Sequence, residues 1–220
     1  MYSFEKYGIH FYNTDCLPAL REMPDNAFDL AIVDPPYGDA LGGDGSKRYG
    51  GMFQSSISNG AVNTRASAEE QPVCRTGGTW ASKYEKRIVG WDVAPTQEYF
   101  DELFRVSRNQ VIFGGNYFTL PPSRCFVVYR KLNIPPKGFT MSPVEYAWTS
   151  FNRNAVLVEA NSQSFGSVKR FHPTQKPVSI YKDLLEAFAN KGDKILDTHV
   201  GSASSLLACY EMGFEVEHCA

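Results

Sequence analysis

Asp34-Pro35-Pro36-Tyr37 follows the apolar run Phe28 to Val33 and leads into Gly38. These residue types suit a flat ring that carries an amino group. An exocyclic amine on adenine or cytosine is a weak nucleophile, because its lone pair is delocalised into the ring. A carboxylate accepts hydrogen bonds and cannot donate them. Asp34 can therefore take one N–H of such an amine, and the Pro35 carbonyl the other. Two acceptors set tetrahedrally would localise the lone pair. Proline fixes its own φ and restricts the residue before it, which pre-sets both acceptors. Tyr37 would stack on the base. A base inside a duplex cannot reach such a pocket, so it would have to be extruded. Otherwise the segment is a strand followed by a Pro-Pro turn, with Asp34 accepting loop amides.

A second group of residues stands near the other end of the chain. Lys194 to Asp197 reads as a short buried strand, and Gly201-Ser202-Ala203-Ser204-Ser205 leads into a helical pattern through Leu206, Leu207 and Tyr210 that closes at Gly213. Small residues at a strand-to-helix turn let a ligand approach the backbone and the helix N-terminus. Upstream, His172-Pro173-Thr174-Gln175-Lys176-Pro177 precedes an amphipathic helix with Val178, Tyr181, Leu184, Leu185 and Phe188 on one face.

Taken together, these three elements resemble the S-adenosylmethionine-dependent DNA amino-methyltransferases, and the likeness covers nearly the whole chain. Asp34-Pro35-Pro36-Tyr37 is similar to the family's catalytic motif, and Asp197 to Ser205 to its methionine-binding loop. His172 to Pro177 is similar to the segment before the first cofactor helix. The order, catalytic motif first and cofactor loop last, resembles the circularly permuted beta class. The run Val111 to Phe118, with Asn116, also resembles adenine-modifying members.

The resemblance implies S-adenosylmethionine as cofactor, double-stranded DNA as partner and the 6-amino group of adenine as target. It implies that Asp34, Pro35, Pro36 and Tyr37 form the catalytic site. Asp15 would accept from the cofactor's adenine amino group. Asp197, Gly201, Ser202 and Ser204 would line the methionine moiety, and Thr174 and Lys176 would approach its carboxylate. Asp15 could equally be the N-cap of a helix starting near Leu17, and Lys176 a solvated charge. Cytosine's 4-amino group would fit the same pocket physics. RNA or protein methylation and an inactive binding remnant are the other readings. The resemblance also places a second glycine where Ala203 stands, and an acidic ribose-binding residue where Ala220 stands.

Composition bounds the rest. At 220 residues with 43% hydrophobic content, the chain can bury one core and is expected to form a single domain. Five cysteines without a C-x-x-C pair argue against a disulfide framework or a zinc site, and no metal is expected. Met1 to His10 lacks a signal-peptide core and no run approaches membrane-spanning length, so a cytoplasmic enzyme is expected, with a homodimer left open.

Strands are expected over Ile9 to Asn13, Phe28 to Val33, Gln110 to Phe113, Cys125 to Tyr129, Val144 to Phe151, Lys194 to Asp197 and Phe214 to Cys219. Helices are expected over Leu17 to Met23 and Gln97 to Ser107 and after Pro177. This alternation implies an α/β fold, an open and mostly parallel Rossmann-like sheet of the class I methyltransferase type. Asp15, Asp34 and Asp197 would then sit at carboxyl ends of strands, where such sheets bind ligands.

Residues 39 to 90 form a long Gly- and Ser-rich insertion, expected to face DNA, in which seven basic residues, Lys47 and Arg48 among them, stand against five acidic ones. Residues 121 to 176 are more polarised. Their eight cations, including Lys131, Lys169 and Arg170, face only Glu145 and Glu159, within a chain whose net charge is −2. Such separation suits a phosphate-binding face.

Overall fold

The computed structural model describes residues 2–6, 8–38, 93–136, 142–161 and 175–219. Its strands are β1 (Tyr2–Lys6), β2 (Ile9–Asn13), β3 (Phe28–Val33), β4 (Ser107–Phe113), β5 (Phe126–Lys131), β6 (Val144–Thr149), β7 (Val156–Ala160), β8 (Lys194–Asp197) and β9 (Glu215–Cys219). Its helices are α1 (Cys16–Glu22), α2 (Gln97–Val106), α3 (Val178–Phe188) and α4 (Ser204–Met212), with a 3-10 turn at Gly115–Tyr117. The chain divides into two compact units. The larger holds residues 1–35, 95–133 and 144–220, and the other 36–94 and 134–143.

The described strands form one sheet in the order β1-β2-β9-β8-β3-β4-β6-β5-β7. The segment β2-β9-β8-β3-β4 is parallel throughout. β6 runs antiparallel to both β4 and β5, and β1 antiparallel to β2. The strand carrying Asp34 thus comes first in the chain, and its neighbour carrying Asp197 comes late.

Both faces of the sheet are covered, which is why β3 is apolar from Leu30 to Val33. Leu30 and Ile32 of β3 pack with Ile180, Leu184, Leu185 and Phe188 of α3 in one core. Ala31 and Val33 pack with Leu20 of α1 and Tyr99, Phe100 and Leu103 of α2 in a second core.

Several elements differ from their expected bounds. β4 starts at Ser107, where the Ser107 hydroxyl donates to the Leu103 carbonyl at the end of α2. β7 was not expected. It is short, and Leu157 on it is exposed, so its apolar content gives little periodic signal. The apolar face read for α4 is also corrected. Leu207 and Tyr210 point to solvent, while Ser204, Ser205, Ala208 and Cys209 are the buried residues. Small side chains fit where a helix lies close against its neighbours.

Within the smaller unit, Gly38 (φ +61°) lies against Ala94. A Cβ at position 38 would stand 2.7 Å from the Ala94 nitrogen, so both the dihedral and the space favour glycine there.

Candidate active site

β3 and β8 are neighbours whose connections leave in opposite directions. β8 feeds α4 and then β9 on one side, and β3 leads on through α2 to β4 on the other. The crevice at such a reversal, outside the carboxyl ends of the strands, is where open α/β sheets bind ligands. Asp197 is the last residue of β8, and Asp34 follows the last residue of β3. Asp15 follows β2, a further parallel strand.

The Asp34 carboxylate is largely shielded, its side chain 16% exposed, and its Oδ2 accepts from the Lys176 ammonium. Lys176 is placed by Pro177, which starts α3. Its Nζ also lies 3.3 Å from Glu145 Oε2 and 4.5 Å from the centroid of the Phe113 ring. Burial lowers the Lys176 pKa, but Asp34 and Glu145 reverse this and hold it above the ordinary lysine range. Glu145 is bound on its other oxygen by Lys131 Nζ at 2.7 Å. Burial would raise the Glu145 pKa, but the ammoniums of Lys176 and Lys131 bring it down to about 2.

Asp197 is 2% exposed. Its Oδ1 accepts from the His199 amide at 2.9 Å and its Oδ2 from the Ser205 hydroxyl. Burial pushes its pKa up to about 6 against the pull of those two hydrogen bonds. The following loop is fixed by a chain of hydrogen bonds. The Tyr99 hydroxyl lies 2.6 Å from Thr198 Oγ1, which lies 2.8 Å from His199 Nδ1. Burial lowers the His199 pKa to about 4, so the ring is neutral near pH 7. Gly201 (φ +51°) and Ala203 (φ +58°) turn the chain into α4, whose N-terminus has no side-chain cap. Ser202 Oγ and Ser204 Oγ are 2.9 Å apart.

The expected site residues therefore separate into groups. Asp34 and Lys176 meet directly, and Asp197, Ser202, Gly201 and Ser204 sit on or beside the adjacent strand end. Asp15 is exposed and its Oδ1 accepts from the Leu17 amide at 3.1 Å, the N-cap arrangement. Pro35 is buried in the larger unit, while Pro36 and Tyr37 open the smaller one. Thr174, Lys169, Arg170, Lys47 and Arg48 lie outside the described residues, as does Ala220.

Lys131 is a correction: expected on a phosphate-binding face, it is 9% exposed and paired with Glu145, because two buried ammoniums share that carboxylate. Lys176, weighed as a solvated charge, is likewise buried. Arg130 pairs with Glu159 at 2.9 Å, and Arg153 donates to the Ala187 carbonyl at 2.6 Å. Glu145 was missed as a site residue. Its signal was present, as an acid inside the apolar strand Val144-Glu145-Tyr146-Ala147-Trp148 within a basic region.

Residues 144–216, which hold Glu145, Lys176 and Asp197, match the family model described as DNA methylase, of the N6/N4 type. This likeness to the N6/N4 DNA methylases agrees with the resemblance carried by Asp34 to Tyr37 and Asp197 to Ser205. It is 27% identical over 214 residues to the type II methyltransferase M.HpaI of Haemophilus parainfluenzae, an alignment covering 89% of this chain and 65% of that protein. It therefore spans just under two thirds of that relative's length. It is 20% identical over 220 residues to the putative methylase YubD of Escherichia coli K12, covering 92% of this chain and 80% of that one. The fold is that of the PvuII cytosine-N4-specific DNA methyltransferase, with a TM-score of 0.55 at 12% identity over 96% of this chain and 81% of that one. It is also that of a putative DNA modification methylase from Thermus thermophilus complexed with S-adenosylmethionine, with a TM-score of 0.50 at 12% identity over 95% and 86% of the two chains.

The residues present fit S-adenosylmethionine, the cofactor that the sequence resemblance implies. The uncapped N-terminus of α4 offers backbone N–H groups suited to a carboxylate. Asp197, Gly201 and Ser202 stand at the strand end and turn beside it. Among the described residues no group of His, Cys, Asp and Glu is placed to hold a metal ion, and no helix is long and apolar enough to cross a membrane.

Proposed function

We propose that this chain methylates the 6-amino group of adenine in double-stranded DNA, as a cytoplasmic, site-specific enzyme. The observation that carries the reading is the placement of the Asp34 carboxylate at the end of β3, beside the strand that ends in Asp197. Bound S-adenosylmethionine supplies an electrophilic methyl group on a sulfonium. Asp34 and the Pro35 carbonyl would accept the two N–H groups of an extruded base, and Tyr37 would stack on it. Asp34 and the Pro35 carbonyl would hold the amine nitrogen for an in-line displacement in which the sulfonium would give up its methyl group. Catalysis is then positioning plus two acceptors at the nitrogen that becomes cationic. A carboxylate is too weak a base to take a proton from a neutral aromatic amine first. The proton leaves after the methyl arrives.

Adenine is preferred because Asp at the first motif position resembles the adenine enzymes. The cytosine reading is favoured by one specific likeness, the fold shared with the cytosine-N4-specific PvuII enzyme. Incubation with labelled cofactor and genomic DNA, followed by nucleoside analysis, separates the two. Label in 6-methyladenine is expected. Label in 4-methylcytosine would promote the second reading, and label in neither would defeat both.

A further inference from the structure

Four charges of alternating sign run in a chain through the larger unit: Lys131, Glu145, Lys176 and Asp34. Lys131 Nζ sits 2.7 Å from Glu145 Oε1, Lys176 Nζ sits 3.3 Å from Glu145 Oε2, and Lys176 also donates to Asp34 Oδ2. The four side chains are 9%, 28%, 8% and 16% exposed. Buried ion chains of this kind are poor stabilisers, since removing charges from water offsets much of their attraction. Packing alone therefore gives little reason to place two carboxylates around one ammonium.

Amine methylation does give a reason, and the inference rests on that reading of Asp34. The target nitrogen gains positive charge as the methyl arrives. An ammonium bound to Asp34 alone would cancel the charge that should stabilise it. Glu145 draws on the same ammonium, to a degree that Lys131 tempers, and so loosens its hold on Asp34, while Lys176 held on Oδ2 fixes the plane in which the carboxylate meets the amine. We infer that Glu145 is a positioning residue for methyl transfer, acting through Lys176 to set the charge and orientation of the Asp34 carboxylate. Lys131 holds the far oxygen of Glu145. Among the described residues, the Phe113 ring, the Tyr181 hydroxyl and the Asp197 carboxyl also face this chain.

The test compares wild type with Glu145→Gln and Lys131→Met, each checked for folding by thermal melting. Two readouts are taken: single-turnover methyl transfer to DNA at saturating cofactor, and titration of the Asp34 carboxyl carbon by NMR. Glu145→Gln should slow transfer roughly tenfold to hundredfold, the loss that follows displacement of a catalytic group by about 1 Å, with cofactor affinity unchanged. Asp34 should titrate at lower pH, because it then holds Lys176 alone. Lys131→Met should move the Asp34 titration the opposite way, and it carries the test if Glu145→Gln does not fold. An unmoved Asp34 titration in the folded variants, or wild-type transfer in Glu145→Gln, would overturn the inference. Opposed Asp34 shifts in a chain that methylates no DNA would uphold the coupling and overturn the proposed function instead.

Discussion

The Lys176 ammonium rests on the Asp34 carboxylate although 142 positions separate them in the chain. A residue two places before α3 and the residue after β3 are thereby joined across the mouth of the crevice.

Asp34→Asn should lower methyl transfer by about 10² or more, the range seen when one preorganised charge-stabilising group is removed. Asn presents one acceptor and one donor group, so its amide either misplaces the amine or meets it donor to donor. Calorimetry should show cofactor affinity close to wild type. Wild-type turnover in this variant would remove Asp34 from the mechanism.

Lys176→Met leaves Asp34 and Glu145 as two carboxylates without their shared cation. Breaking a buried pair by removing one partner costs about 3–5 kcal/mol, so urea denaturation at pH 7 should show a loss of that order. The double variant Lys176→Met/Glu145→Gln should recover part of it.

Stability should depend on pH through two carboxyls of opposite sign. The folded Glu145 pKa is about 2, below its ordinary 4.5, so its contribution is present above pH 4.5 and is lost as pH falls towards 2. The folded Asp197 pKa is about 6, above its ordinary 3.8. Its burial penalty is therefore absent below pH 3.8 and complete above about 6, and stability falls as pH rises through that window. A shift of this size is worth about 3 kcal/mol. Chemical denaturation of Asp197→Asn between about pH 4 and 7 should show that the second slope has gone, while cofactor binding is weakened.

Ala203 holds φ +58° at the entry to α4. A left-handed conformation costs a residue with a Cβ about 1 kcal/mol. Ala203→Gly should relieve that strain and open the turn to the cofactor, so a tighter Kd for S-adenosylmethionine is expected by calorimetry. A weaker Kd would show that the Ala203 methyl makes a contact the cofactor needs.

Salt dependence separates the cations. Each phosphate neutralised on duplex DNA contributes about 0.9 to the slope of log affinity against log salt. Replacing Lys169 and Arg170 together should shallow the slope by up to about 2 units without changing which sites are methylated, because phosphate contacts position and base contacts specify. Lys131→Met should leave the slope unchanged, since its ammonium is buried against Glu145.

Much of the frame was legible because it rests on local pattern. β3 and β8 run over the residues expected from their apolar runs, and α3 buries Tyr181, Leu184, Leu185 and Phe188 as its periodicity implied. The pairing of charges was not legible. Lys131 and Lys176 look like any surface lysine in the sequence. Only the sheet order, which sets β6 between β4 and β5, brings Glu145 to Lys131 across paired strands and to Lys176 from a distant segment. α4 misled for a related reason. Leu207 and Tyr210 face out and Leu206 and Met212 pack only partly against the core, while serine, alanine and cysteine take the fully buried positions.

Gly38 and Ala94 touch although the chain runs through more than fifty residues between them. A stretch that leaves and returns at one spot can be lengthened, shortened or exchanged like a cassette. Each doubling of a flexible loop adds only about 0.6 kcal/mol of closure entropy. Replacing the residues between Gly38 and Ala94 would leave the strands carrying Asp34 and Asp197 as they are.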